Sequence, residues 1–369
     1  MQSNRQSKWR KLLSCKKATS IIPYSEEKNE GKNDIICKSS IEYSQSEEKL
    51  EENKKVDNRR DSQSHLFNDN LLADVNIVNA LNLYKLQVDA LWLEELPLII
   101  GAFKKSLIEN QSNKSDICLK ILDIGCGTGE LLTRLIGENG VFEQMISSNI
   151  KLLIIGVELD RSVYEFCKKR LKNLKHKSNV ESLIYNGNAT KLPFDSNQFD
   201  LIFNRHMLHC LPKNDIQIVL NETYRVLKQN GIVHFLAEDI EMIYTSVDDD
   251  QISREQNNLW SEGIYGTGRI LGVDLRIGRK LPVLLYKSGF IIQLIQYAIV
   301  DTHRCHRQLL VDLFELWRKM YNDIWIHNNI DFQYSKSFEN FVKIVQEEHQ
   351  YVCWTVPIIQ ATKNIRTIS

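Results

Sequence analysis

Three glycines at alternate positions, Gly125, Gly127 and Gly129, follow an apolar run that carries an acid, Asp123, near its end; no other stretch of the 369-residue chain is better suited to chemistry. The run 119–124 reads as a buried parallel strand, and 131–136 continues on helical spacing, so the glycines fall at a strand-to-helix turn. Glycine there takes positive φ and brings the backbone close to a ligand. A loop of this kind holds a nucleotide-type cofactor. Its G-x-G-x-G spacing is one residue tighter than the G-x-G-x-x-G of dinucleotide sites.

The stretch Ile121-Leu122-Asp123-Ile124-Gly125-Cys126-Gly127-Thr128-Gly129 resembles the first motif of the class I S-adenosylmethionine-dependent methyltransferases. The resemblance is nearest to the ubiquinone and menaquinone biosynthesis type. It runs loosely over 71–363 and closely over 119–237. It implies S-adenosyl-L-methionine, rather than NAD, as cofactor, with Asp123, Gly125, Cys126, Gly127 and Gly129 in the binding loop. It also implies that Glu158, followed by Leu159, ends the second strand and accepts hydrogen bonds from the ribose hydroxyls. In Gly187-Asn188-Ala189-Thr190-Lys191-Leu192-Pro193-Phe194, the resemblance puts Asn188 and Ala189 at the adenine; most relatives carry Asp where this chain has Asn188, whose amide oxygen still accepts from an amine. Asn204, at the end of the fourth strand, completes the implied cofactor set.

Methyl transfer from a sulfonium is an in-line displacement, in which a protein supplies alignment and dryness more than covalent chemistry. Where the acceptor carries a proton, a histidine or carboxylate within reach assists. His206 and His209 follow the fourth strand directly, at the sheet end that faces cofactor and substrate in folds of this kind. His206 is the proposed catalytic residue, in a position that is aromatic and apolar in the resembling family; it serves either as a base or as a filler of that aromatic slot. Glu238 and Asp239 end the fifth strand and either contact substrate or are solvated. Arg276 and Arg279 either start a helix or bind substrate, with the first more expected; Tyr265 and His303 are weaker candidates. His303-Arg304-Cys305-His306 lacks a partner pair for a metal, so no metal is expected.

The elements that position these residues follow from alternation. Strand patterns near 119–124, 152–157, 182–185, 199–204 and 231–237 are separated by helical ones, which means a doubly wound parallel sheet with helices on both faces. A sixth strand reads at 291–300, and the resemblance implies a seventh, antiparallel one, a role that 351–359 fits, completing a seven-stranded, mostly parallel, Rossmann-like α/β fold. A helical insertion, about 303–350, separates the last two strands. Its stripe of Leu309, Leu310, Leu313, Leu316, Trp317, Met320, Tyr321 and Trp325 is either core or a lid over the substrate. Upstream, spacing predicts an amphipathic helix over 71–93; the resemblance makes its Tyr84 and Gln87 candidates to lie over the methionine part of the cofactor, the alternative being a packed Tyr and a solvated Gln.

Composition bounds the rest. With 47 basic and 47 acidic residues the chain has no net field to attract nucleic acid, and no run reaches the roughly 18–20 apolar residues of a membrane span. Residues 1–68, rich in Lys, Glu, Ser and Asn, read as a disordered polar tail, and 69–369 as one methyltransferase domain. The first 25 residues hold six Lys or Arg and no acid, which fits a mitochondrial presequence as well as a basic tail. The expectation is a cytoplasmic enzyme, with the mitochondrial matrix as alternative. Eight cysteines without a C-x-x-C pair read as reduced thiols. The partner expected is a small molecule. A protein or RNA substrate, or a non-catalytic role beside an active homologue, are the rival readings; the oligomeric state leaves no mark on the sequence.

Overall fold

In the computed structural model, which describes residues 77–111, 117–330 and 333–363, the buried apolar runs pair into one mixed sheet. Strands β1 (Ile117–Ile124), β2 (Ile150–Glu158), β3 (Val180–Asn186), β4 (Phe199–Arg205) and β5 (Leu227–Leu236) are parallel, in the order β3-β2-β1-β4-β5. Three further strands follow: β6 (Ile243–Thr245), β7 (Phe290–Asp301) and β8 (Val352–Lys363). The last is antiparallel to β5 and carries β7 along its length. The seven-stranded, mostly parallel sheet expected from the sequence is therefore present, with β6 added as a short eighth strand on β8. Strand order reverses at β1, which lies between β2 and β4, and a crevice opens there at the carboxyl ends.

The helices cover both faces. α2 (Glu130–Ile136), α3 (Val141–Met145), α4 (Arg161–Lys172), α5 (Lys213–Val226) and α8 (Ile277–Lys287) fill the crossovers, and α1 (Ile77–Gln111) precedes β1. α4 shows the local logic. Asp160 caps it by accepting from the Val163 N–H at 2.8 Å, and Val163, Tyr164, Cys167 and Leu171 are its buried face. On one side of the sheet Phe103 stacks on Phe142 with ring centroids 3.9 Å apart. Burying each such ring contributes about 2–3 kcal/mol.

α1 is longer than the spacing over 71–93 suggests. Residues 71–76 lie outside the described residues, and the helix continues through Pro97 to Gln111. Its buried positions Leu91, Glu95, Ile99, Ala102, Phe103 and Ser106 keep helical spacing, while Pro97 is exposed, where water can meet the carbonyl it leaves without a donor. A charged Glu95 in that buried row broke the apolar pattern for a reader of the sequence. The polar tail, residues 1–68, and the basic first 25 also lie outside the described residues.

Between β7 and β8 stand two helices, α9 (Arg307–His327) and α10 (Gln333–Gln346). They pack on a second helical segment that the sequence analysis did not anticipate: α6 (Asp250–Asn258), a π-helical turn at Leu259–Ile264, and α7 (Tyr265–Ile270). Trp260 meets Phe341 edge-on at 4.9 Å, and the Trp325 indole N–H donates to Thr267 Oγ1 at 2.7 Å. No helix among the described residues is long and apolar enough to cross a membrane.

Candidate active site

A cavity of about 280 Å³ runs from the glycine loop to the inner faces of α7 and α9. At the loop end the backbone does most of the shaping. Gly125 and Gly127 have φ of +73° and +54°, and the N–H groups of Gly125 and Cys126 both donate to the Val157 carbonyl, which hangs the loop from β2. A Cβ at Gly127 would lie 3.2 Å from the Tyr84 ring, so glycine is needed for α1 to sit so near. Glu158 Oε2 accepts from the Gly127 N–H at 2.9 Å and Oε1 from the Asp160 N–H at 3.0 Å.

Burial sets the electrostatics here. It pushes the Glu158 carboxyl up, against the pull of the Asp160 and Gly127 N–H groups. Asp123 is pushed up to about 7, chiefly by burial, with Arg205 opposing and Glu158 and Glu95 adding to the rise. Burial also raises the Tyr84 hydroxyl well above its ordinary value, with Glu158 assisting, so that ring stays neutral.

Behind the cavity wall lies an ionic chain. The Arg205 guanidinium donates twice to Glu95, at 2.6 Å to each oxygen, and His234 Nε2 donates to Glu95 Oε1 at 3.1 Å. His234 Nδ1 accepts from Gln360 at 3.1 Å. Burial alone would raise the Glu95 carboxyl, but Arg205 and His234 hold it at about 2. This chain ties α1 to β4, β5 and β8.

Past the loop, side chains replace backbone. His206, just after β4, is in the left-handed region at φ +51°, and its N–H donates to the Leu236 carbonyl at the end of β5. That bond brings its ring to Glu238, with Nδ1 2.7 Å from Oε1. Gln87 Nε2 donates to the same oxygen at 3.3 Å, and His209 Nε2 lies 3.8 Å from Oε2. Burial lowers His209, only partly countered by Glu238; burial would raise Glu238, but His209 and His206 bring it below its ordinary value.

Of the residues singled out in the sequence, Asp123, Gly125, Cys126, Gly127, Glu158, Leu159, Asn188, Ala189 and His206 line this one cavity, and so do Tyr84 and Gln87. Two do not. Gly129 turns away against Cys167, and Asn204 is fully buried, because along β4 alternate side chains face opposite ways and Arg205 takes the cavity side. Asn188 is exposed, and its Oδ1 already accepts from the Thr190 N–H at 2.9 Å. Arg276 and Arg279 pair with Glu241 and Asp239 at the start of α8, away from the wall, and His303 stacks on Tyr351. Among the described residues no group of three or more His, Cys, Asp or Glu is placed to hold a metal.

The sequence reading missed Thr267, Gly268, Leu271, Val273 and Leu275, which form one wall of the far end. The pair Gly266 and Gly268 was a usable signal, since a Cβ at Gly268 would lie 2.8 Å from Leu275.

Residues 122–235 match a family described as a methyltransferase domain. The demethylmenaquinone methyltransferase of Lactococcus lactis is 35% identical over 118 residues, which is 31% of this chain and 40% of that protein. The ubiquinone/menaquinone biosynthesis C-methyltransferase of Rhizobium rhizogenes is 28% identical over 145 residues, 38% of this chain and 51% of its own. A solved S-adenosylmethionine-dependent methyltransferase from Methanosarcina mazei is 14% identical with a TM-score of 0.42, over 70% of this chain and 98% of that one. The chain spans about half or less of the length of these curated relatives.

Proposed function

We propose that this chain, which carries a class I S-adenosylmethionine-dependent methyltransferase domain, transfers the cofactor's methyl group to an apolar small molecule held beneath α7 and α9. The observation that carries the reading is the continuity of one cavity from the glycine loop to an apolar chamber. Its walls change character along the way. Gly127, Glu158 and Asp123 stand at one end; Leu271, Leu275, Trp317 and Met320 stand at the other.

The loop end fits the cofactor. A buried carboxylate has about four acceptor positions, and Glu158 spends one on each of two backbone donors, so acceptors remain for ribose hydroxyls. Leu159, exposed at the rim beside it, offers an apolar face to a base. Asp123 matches a cationic amino group, since such a neighbour would return its carboxyl to the charged form. When bound, S-adenosylmethionine supplies an electrophilic methyl group on a sulfonium. The chain's residues do the rest: Glu158 and the loop N–H groups orient, Tyr84 closes over Gly127, and the apolar chamber excludes water.

A small acceptor suits the far end better than a polymer. At about 280 Å³ the cavity is near the lower edge of the roughly 300–1,000 Å³ typical of small-ligand sites. Among the described residues its wall carries two cationic side chains, Arg205, which is already committed to Glu95, and Lys319 on α9. Neutral net charge gives no pull on a nucleic acid.

The test is to incubate the protein with methyl-labelled S-adenosylmethionine and a cell extract, beside a Gly127→Arg control, and to separate small molecules, proteins and nucleic acids. Loop-dependent label in the small-molecule fraction is expected. Label in protein or nucleic acid would overturn the acceptor class.

A further inference from the structure

We infer that His206 is the base that removes a proton from the acceptor, that Glu238 positions it, and that the acceptor therefore carries an acidic proton, either on the methylated oxygen or nitrogen or on a hydroxyl that activates the methylated carbon. The assignment rests on the methyltransferase reading and goes past it to name the chemistry of the substrate.

Three independent features meet at His206. Glu238 is a carboxylate with only acceptors to offer, so the 2.7 Å contact requires the proton on Nδ1, and in the neutral imidazole Nε2 is then a bare lone pair. Among the described residues Nε2 is buried and has no hydrogen-bond partner, although His206 lines the cavity. An unmet polar atom in such a place is costly, and a donor on a ligand would satisfy it. The backbone is the third feature. A non-glycine residue at φ +51° is uncommon and carries strain, and here the strained turn is what delivers the ring to Glu238.

The surroundings lock this arrangement. The Trp354 ring lies over the imidazole at 6.3 Å and 30°, and Gln87 from α1 donates to the same Glu238 oxygen that His206 uses. Other titratable groups around the pair are His209 and Cys210 on its own segment, and Tyr321 on α9, which burial keeps as a neutral phenol with Glu238 assisting. No lysine or arginine pairs with Glu238 among the described residues, so positive charge arising on His206 has this carboxylate to itself.

The step balances as follows. For an oxygen or nitrogen acceptor, the X–H proton passes to Nε2 as the lone pair on X forms the X–CH3 bond; for a hydroxyl-activated carbon, the O–H proton passes to Nε2 as the enolate electron pair forms the C–CH3 bond. The electron pair of the broken S–CH3 bond stays on sulfur. The positive charge that began on sulfur ends on the imidazolium, held by Glu238 until the proton leaves for solvent.

Two readouts test this on the full chain. In the complex with S-adenosylhomocysteine, 15N spectra of labelled histidine should show His206 protonated on Nδ1 and bare on Nε2, and Glu238→Gln should abolish that preference. In single-turnover transfer from labelled S-adenosylmethionine to the accepting extract fraction, His206→Asn, which tolerates the left-handed backbone, should lose about 10²-fold or more, a usual size for a general base. Glu238→Gln should lose about tenfold and shift the acid fall-off of the rate to lower pH, with partial rescue by Glu238→Asp. Both variants should bind S-adenosylhomocysteine as the wild type does. Protonation on Nε2 in the wild type, or transfer by His206→Asn within about threefold of wild type, overturns the assignment. Failure of the wild type itself to bind S-adenosylhomocysteine would instead overturn the methyltransferase reading.

Discussion

The two ends of the cavity are built by different means. Around the glycine loop, main-chain groups bear the load: two N–H groups meet the Val157 carbonyl, and another meets Glu158. Around α7 and α9 the wall is side chains, gathered from segments as far apart in sequence as Leu83 and Ile324. A backbone site demands particular residues at fixed spacing, because only glycine reaches those φ values without strain. A side-chain wall demands only volume and apolarity, which many sequences supply. The loop end should therefore respond to single substitutions by losing the cofactor, and the far end by changing the acceptor.

The largest expected effect tests what joins the two ends. Glu95 fixes α1, a wall of both, to Arg205 and His234. Glu95→Gln leaves a buried guanidinium without its counter-charge and should destabilise the fold by about 3–5 kcal/mol in denaturant titrations. Replacing both partners, as Glu95→Leu with Arg205→Met, should recover much of that loss.

Next comes Glu158→Ala, which should weaken S-adenosylhomocysteine binding by about 1.5–3 kcal/mol in calorimetry, the scale of hydrogen bonds to a charged group. Loss of acceptor binding alone, with cofactor affinity unchanged, would break the division between the ends.

Asp123 sharpens the same comparison through pH. Its carboxyl is held at about 7 in the folded chain against an ordinary 3.8, so the folded state keeps a proton that the unfolded state has released. Its contribution is intact below about pH 4 and is lost as pH rises towards about 7. At pH 8, without cofactor, Asp123→Asn should be more stable by on the order of 2 kcal/mol and should lose the pH dependence of that interval. The same variant should bind S-adenosylhomocysteine less tightly, because the amide cannot meet a cationic amino group with charge.

The smallest effect belongs to the far end. Met320→Ala, at a half-buried position on α9, should alter the acceptor KM by a few-fold, worth about 1 kcal/mol, and leave cofactor affinity unchanged.

This difference in construction also explains what could be read from the sequence. Strands β1, β2 and β4 and the loop were legible because buried parallel strands are near-continuous apolar runs and the turn after β1 needs glycine. The place of Glu158 at the end of β2 was legible because it ends such a run. The extension of α1 was hidden by Pro97 and by Glu95, a charge whose partner Arg205 is 110 positions away. The wall at 267–275 was hidden because helix α7 is short and packs by shape, through Gly268 against Leu275. Asn204 lies one position of strand alternation from the cavity-facing Arg205, a difference that motif likeness does not resolve and side-chain direction does. The pairing of His206 with Glu238 depends on one left-handed residue, and nothing in the local sequence announces that conformation.

Calorimetric titration of the full chain with S-adenosylhomocysteine, in the wild type and in Glu158→Ala, tests the central claim most directly. The account expects one site per chain in the wild type and a marked loss in the variant, with circular dichroism showing the fold intact in both. No binding by the wild type, or binding indifferent to Glu158, would contradict it.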